Sequence, residues 1–293
     1  MSKSDTNRLA KLLAEPGIII APGAYDALSA KIAAQAGVPA IYMTGFGLAG
    51  SYMGLPDIGL MSASEMTDCV RAMAAAAGST PLIADGDNGH GGPLNVARLT
   101  RAYEQAGAQC IQLEDQVSPK RCGHMEGKEV ISITEATQKI AAAVAARDSR
   151  DFKIMARTDA RATHDLDEAL RRGEAFLNAG ADILFIEAPR DMKELEKVCS
   201  TFKGVPLLAN VVEDGKTPML DAKTLEEMGF KIAIYPVSAL LVVTKHLQDV
   251  YATLLGGHGL AADEPRVSFQ RYNEIVGLPE LMANAAKIAG NDA

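Results

Sequence analysis

The stretch Ile111 to Lys128, IQLEDQVSPKRCGHMEGK, ends an apolar run on a carboxylate, Glu114, and continues into a polar loop carrying Lys120, Arg121, Cys122, Gly123 and His124. A thiol among three side chains able to carry positive charge is a candidate for proton or nucleophile chemistry, because cationic neighbours favour the thiolate. Upstream, IADGDNGHGG sets Asp85 and Asp87 two residues apart among four glycines, which let backbone and ligand come close. With Glu114 and with Asp57 from GLPDIG, these carboxylates make an all-oxygen set suited to Mg²⁺ or Mn²⁺, and no His and Cys cluster points to zinc. His90 follows in the same loop and reads as a polar loop residue, since a hard cation prefers oxygen.

Arg157, in IMARTDAR, is a charge at the end of a segment that otherwise reads as core, so it should face carboxylates. Its planar guanidinium suits a bidentate grip on a substrate carboxylate, an internal salt bridge to Glu187, or both. Asn210, with Thr217 and Pro218 in NVVEDGKTP, offers neutral donors for a second carboxylate.

The elements that must position these residues repeat. In QAGVPAIYM, QAGAQCIQL, NAGADILFI and EMGFKIAIY a helical segment ends in Gly37, Gly107, Gly180 or Gly229 and turns directly into an apolar run. Glycine at that position supports the left-handed conformation that ends a helix. The apolar runs predict eight strands: Gly17–Ala21, Ala40–Thr44, Pro81–Ala84, Cys110–Glu114, Lys153–Arg157, Ile183–Glu187, Pro206–Asn210 and Ile232–Pro236. None alternates apolar with polar, which is how strands buried on both faces of a parallel sheet read.

Helical patterns fall between them, over Asp26–Ala36, Ser64–Ala77, Asn95–Ala106, Thr134–Ala146, Asp167–Ala179, Lys193–Cys199 and Ser238–Leu255, and Ser62 with Glu65 forms a capping-box start. Eight such units predict a single (β/α)8 TIM barrel over residues 1–293, with 257–293 as a C-terminal helical extension in two pieces, Val267–Ile275 and Pro279–Ile288. The alternative, a doubly wound sheet, usually follows its first strand with a glycine-rich phosphate turn, and IIIAPGAYD lacks it. In the barrel, Thr44, Asp85, Asp87, Glu114, Arg157, Asp159, Glu187 and Asn210 all fall where strands end, on one rim.

The 48% hydrophobic content, without Trp, suits a large close-packed core rather than disorder. A net charge of −8 and no clustered Lys and Arg argue against a nucleic-acid partner. No apolar stretch reaches membrane-span length and MSKSDTNRLAKLLAEPG has no signal-peptide core, so the chain is expected to be cytoplasmic and not membrane-bound. Cys69, Cys110 and Cys199 fall in helix and strand patterns and read as core thiols; only Cys122 lies in a polar loop.

LEDQ followed by PKRCGH, with the DGD loop before and ARTDA after, resembles the isocitrate lyase and phosphoenolpyruvate mutase superfamily in its short-chain lyase branch, from about Gly17 to Leu255. GLPDIG and NVVEDGKTP are similar to family segments as well. The resemblance implies a barrel whose last helix is exchanged between subunits, a homotetramer built as a dimer of dimers, a small carboxylate substrate and an essential Mg²⁺, with Mn²⁺ as a substitute. It implies Asp85 as the direct metal ligand, with Asp57, Asp87 and Glu114 holding the metal's waters. Thr44, Gly45 and Phe46 match a substrate-binding segment that in the closer lyases reads Ser-Gly-Gly, so Thr44 and Phe46 are departures. Gly123, His124, Arg157, Glu187 and Asn210 match substrate-side residues, and Cys122 matches the catalytic acid, with Lys120 beside it.

The activity so implied is carbon–carbon cleavage of a 2-hydroxy di- or tricarboxylate, of the 2,3-dimethylmalate or 2-methylisocitrate type, to pyruvate plus propionate or succinate. MEGKEVI and EAPRDMKEL are more similar to dimethylmalate lyases and related plant lyases, and an apolar Met125 near the substrate tail would suit a methyl group better than a carboxylate. Oxaloacetate hydrolysis or decarboxylation is the alternative, disfavoured because the eighth strand ends in Pro236, which has no hydroxyl for a hydrated ketone. Phosphonate mutases usually lack the KRCGH thiol. A non-catalytic metal-binding barrel is the reading from a different class, and nothing in the rim residues is missing that would favour it.

Overall fold

The computed structural model describes residues 7–121, 127–257 and 259–290. Eight strands, β1 (Ile19–Ala24), β2 (Ile41–Met43), β3 (Leu82–Asp85), β4 (Cys110–Glu114), β5 (Lys153–Thr158), β6 (Ile183–Ile186), β7 (Leu208–Asn210) and β8 (Ile232–Tyr235), form one parallel sheet in the order β6-β5-β4-β3-β2-β1-β8-β7. A parallel bridge between Leu184 and Leu207 joins the two ends, so the sheet closes as the expected (β/α)8 barrel. Closure explains the unalternating apolar runs, since one face of every strand packs inside the barrel and the other under helices.

Inside, Ile19, Ile83, Cys110, Met155, Ile183 and Ile232 form one cluster with Leu9, which α1 (Arg8–Ala14) inserts. The Leu9 amide is held by Gln109 Oε1 at 2.8 Å. Outside, the strands pack against α2 (Ala27–Gln35), α4 (Ala63–Ala77), α5 (Pro93–Ala106), α6 (Ile133–Ala146), α8 (Leu166–Asn178), α9 (Met192–Thr201) and α10 (Ala222–Met228). Ser62 and Glu65 cap α4 reciprocally, and Gly37, Gly107, Gly180 and Gly229 have φ of 80°, 102°, 98° and 109°, the left-handed turns the repeat predicts.

Where boundaries differ from the pattern, the cause is local. Gly17, expected to open β1, has φ of 94°, and a left-handed turn cannot pair in a sheet, so the strand begins later and runs on to Ala24. The short α3 (Gly45–Leu48) and α7 (Ala160–Thr163) carry no amphipathic signature; α3 exists because the Thr44 side chain accepts the Gly47 amide at 3.2 Å. Cys110 and Cys199 are buried, but Cys69 is only half-buried.

Contacts divide the chain into two compact units, residues 1–240 and 241–293. The boundary falls within α11 (Ser238–Leu255), and the second unit also contains α12 (Phe269–Ile275) and α13 (Leu278–Ile288). Among the described residues no helix is long and apolar enough to cross a membrane.

The excursion after β4 leaves through a hydrogen-bonded neck. Val117 N donates to Glu129 O and Ile131 N to Asp115 O, both at 2.9 Å, and Gln116 bridges to Val130. The neck is bolted to the end of β5: Asp115 accepts from the Asp159 amide (2.9 Å), the Thr158 hydroxyl (2.7 Å) and Arg172 Nη1 (2.9 Å), and Arg172 also donates to Ile131 O. Asp159 in turn accepts two bonds from Arg157 and one, at 2.6 Å, from Lys128.

Burial alone would raise the Asp159 carboxyl, but the charges of Arg157 and Lys128 and their hydrogen bonds outweigh it and hold it at about 2 instead of 3.8. The folded chain therefore releases this proton more readily than the unfolded one. Its stabilisation, on the order of 2 kcal/mol, is complete above pH ~4 and drains away as pH falls through ~2. Denaturant titrations of Asp159→Asn should show a deficit at neutral pH that narrows between pH ~4 and ~2; a deficit constant with pH would contradict this assignment.

Candidate active site

Strand ends bring most of the predicted rim residues to one small cavity. It is about 50 Å³ in volume, and Thr44, Phe46, Asp57, Asp85, Glu114, Lys120, Arg121, Arg157 and Asn210 all line it. Asp87 and Glu187 are buried beside these residues. Larger clefts open elsewhere, one of about 270 Å³ that includes His90, Arg71 and Arg98, but none gathers this set of carboxylates. His90 lines that larger cleft and not the small cavity.

Asp85, at the tip of β3, is the most supported of the acids. Its Oδ1 accepts from the Asp87 amide at 3.0 Å and from Gln112 Nε2 at 3.1 Å, and its Oδ2 accepts from the Gly45 amide at 3.3 Å. Gln112 is itself held by the Tyr42 hydroxyl at 2.8 Å, so side chains from β2 and β4 orient an acid on β3 through the barrel interior. Burial and the Asp85 charge push the Tyr42 phenol well above its ordinary value, which keeps it a donor. A Cβ at Gly45 would stand 2.7 Å from Asp85 Oδ2 and 3.2 Å from Asp87 Oδ1, so only glycine lets the backbone amide come this close.

Lys120 reaches inward rather than remaining in its loop. Its Nζ lies 2.5 Å from Asp57 Oδ1 and 2.7 Å from Asp87 Oδ1, with the side chain almost wholly buried. Burial would lower its pKa, but Asp87, Glu114, Asp85 and Asp57 together push it well up, so it is an ammonium at any working pH. Its placement is clasped from outside at Gly59, where an added Cβ would meet the Lys120 amide nitrogen at 3.3 Å.

Arg157 forks onto Asp159, with Nε to Oδ2 at 2.9 Å and Nη2 to Oδ1 at 3.1 Å, which leaves Nη1 to face Glu114 Oε2 at 3.3 Å. The guanidinium also stacks 5.1 Å from the Phe185 ring centroid. The fork that the sequence suggested for a substrate carboxylate or Glu187 is thus engaged by Asp159, two residues on. Glu187 instead accepts from Asn210 Nδ2 at 3.3 Å, and its charge is among those that raise Arg157 well above its ordinary value.

Thr217 and Pro218 line a separate pocket with Leu195 and Phe230 rather than this cavity. Cys122, Gly123, His124 and Met125 lie outside the described residues. Sequence reasoning missed Tyr42, Gln112, Phe185, Val212, Ile234 and Val237, of which all but Gln112 line the cavity. Only Gln112 had a legible signal, a polar residue inside an apolar strand.

The donor set fits a divalent cation, although no group of three or more His, Cys, Asp or Glu among the described residues already has metal-holding geometry. Asp57, Asp85, Asp87 and Glu114 crowd together, with Lys120 on Asp57 and Asp87, Arg157 facing Glu114 and Arg121 also in the cavity wall. The crowding is visible in the acids: burial and the Asp87 charge raise Asp85, and burial pushes Glu114 well up in spite of Arg157 and Lys120. Glu114 Oε1 is buried with no hydrogen-bond partner among the described residues. Crowded hard oxygen donors, one of them unpartnered, suit Mg²⁺ or Mn²⁺.

Residues 9–255 match the family model described as phosphoenolpyruvate phosphomutase. The chain belongs to that family. It is 45% identical over 275 residues to the 2,3-dimethylmalate lyase of Eubacterium barkeri, covering 94% of each chain. It is 41% identical over 252 residues to the 2-methylisocitrate lyase of Bacillus subtilis (strain 168), covering 86% of this chain and 82% of that one. Among solved structures, oxaloacetate acetylhydrolase in complex with the inhibitor 3,3-difluorooxalacetate superposes with a TM-score of 0.93 at 34% identity, covering 99% and 98% of the two chains. Enzymes of this family are generally divalent-metal dependent.

Proposed function

We propose that the protein is a Mg²⁺-dependent carbon–carbon lyase that cleaves a 2-alkylmalate of the 2,3-dimethylmalate type to pyruvate and a short carboxylate such as propionate. The observation that carries this reading is the composition of the cavity wall. The acids, Lys120 and Arg157 share it with Phe46, Phe185, Val212, Ile234, Pro236 and Val237, so a ligand with two carboxylates finds apolar side chains for its alkyl groups. A tricarboxylate would have to place its third charge there too, which makes 2-methylisocitrate the less favoured substrate.

Asp85 would hold the cation directly, with Asp57, Asp87 and Glu114 holding its waters. The cation supplies Lewis-acid stabilisation of the oxygens of the developing keto acid. Arg157 Nη1 and Lys120 keep positive charge at the cavity for substrate carboxylates. In the reaction the 2-hydroxyl proton passes to a carboxylate of the acid cluster, the bond between the hydroxyl-bearing carbon and its neighbour breaks, and its electron pair passes to the carbon beside the second carboxylate. Cys122 donates the proton that completes the released acid. Gly123, His124, Glu187 and Asn210 complete the substrate-side set, together with Thr44 and Gly45.

The second reading, oxaloacetate hydrolysis, draws on the close structural likeness to the acetylhydrolase. Pro236 in the cavity wall speaks against it, because it offers no hydroxyl to a hydrated ketone. For assembly, we propose that residues 241–293 pack on a second copy of the chain, within a homotetramer of dimers in the cytoplasm. In support, this segment leaves Leu247, Tyr251, Phe269, Leu281 and Ile288 exposed, a heavy apolar burden for an isolated surface.

Assayed with Mg²⁺ for keto-acid release, a panel of 2-alkylmalates, 2-methylisocitrate and oxaloacetate should give its highest kcat/KM with 2,3-dimethylmalate. Release of oxalate and acetate from oxaloacetate would favour the hydrolase, and no turnover of any member would favour a non-catalytic barrel. Cys122→Ser should keep substrate affinity while lowering kcat by about 10²-fold or more, as expected for loss of a positioned acid. Normal kcat in that variant would remove Cys122 from the mechanism.

A further inference from the structure

Lys128 is a buried lysine that the proposed chemistry leaves without a task. It stands on the return arm of the excursion after β4, and its side chain is only 2% exposed. Its Nζ donates at 2.6 Å to Asp159 Oδ1, the same oxygen that accepts Arg157 Nη2 at 3.1 Å. Asp159 is fully buried, and its backbone amide is fixed to Asp115, where the outgoing arm begins.

Burying an ammonium is costly, and an exposed neck residue would close the same turn without that cost. What the charge does here is fix a carboxylate that has two duties. Asp159 sets the plane of the Arg157 fork, and so decides that Nη1 rather than another nitrogen faces Glu114 and the cavity. The same carboxylate holds the return arm against β5, and the outgoing arm of that excursion delivers Lys120 to Asp57 and Asp87.

We propose that Lys128 is a positioning residue that couples the placement of the excursion after β4 to the orientation of Arg157, with Asp159 as their shared anchor. The two cations that face the carboxylate cluster are then held as one unit. Lys128 touches no substrate. Its loss frees the Asp159 carboxylate to rotate, and Arg157 turns with it. As far as it concerns catalysis, this inference rests on the lyase reading; its structural half stands without it.

The test is Lys128→Met in the full chain, with Lys128→Gln, which keeps a donor without the charge, read in the same way should the Met variant not fold. Hydrogen exchange without substrate should quicken by about tenfold or more at the amides of Asp159 and Ile131, the bolts of the neck, while the amides of β1 and β8 keep wild-type rates. With a 2-alkylmalate, KM should rise about tenfold with kcat changed less than about threefold, as for lost carboxylate binding. Added to Arg157→Lys, the Lys128 substitution should raise KM by less than about twofold further, because both act on one contact.

Unchanged exchange at Asp159 and Ile131 overturns the proposal, as does a KM penalty that multiplies in full with that of Arg157→Lys. If the wild-type protein turns over no 2-alkylmalate, the lyase reading fails, and the exchange rates alone decide the role of Lys128.

Discussion

Like charges crowded into a space that water barely enters repel, and the rim of this barrel is built around that problem. Asp57, Asp85, Asp87 and Glu114 are each less than a tenth exposed, and they meet where β3 and β4 end. Lys120 answers two of them directly and Arg157 answers Glu114. The remaining deficit appears as carboxyls that burial holds at raised pKa, a condition that a divalent cation would relieve.

That requirement dictates geometry well away from the acids. A lysine can serve them only if its loop is held in place, so the excursion after β4 has a hydrogen-bonded neck, and Asp115, Arg172 and Asp159 fasten it to β5. An arginine can serve them only if its fork is anchored elsewhere, which is the part Asp159 plays. The barrel interior contributes as well: Tyr42 and Gln112 orient Asp85 from within the sheet, so a section of the core that reads as packing has a polar duty. Parallel strands make this possible, since they present all their carboxyl ends on one face.

Much of this was legible from residue types. The glycines that end four helices, with the unalternating strands, point to a parallel α/β fold, the missing glycine-rich turn after the first strand favours a barrel, and Asp, Glu, Arg and Asn at the strand ends gather on one rim. The direction of individual side chains was not legible. Arg157 was readable as a charge that needs carboxylates, but its pairing with Asp159 depends on a turn after β5 that no periodicity reveals. Lys120 reads in sequence as a neighbour of Cys122, whereas the fold sends it inward to Asp57 and Asp87. The apolar wall of Phe46, Phe185, Val212 and Ile234 was hidden for a different reason: an apolar residue at a strand end looks the same whether it faces core or ligand.

The proposed chemistry needs the buried carboxylates to form a divalent-cation site that the protein's own cations leave incomplete. Calorimetric titration of the metal-stripped protein with Mn²⁺, without substrate, tests it most directly. One site per chain, displaced by Mg²⁺ and abolished in a folded Asp85→Asn variant, is the predicted result. Equal binding by the wild-type and Asp85→Asn proteins, or no binding to either, would mean that these carboxylates hold no such cation.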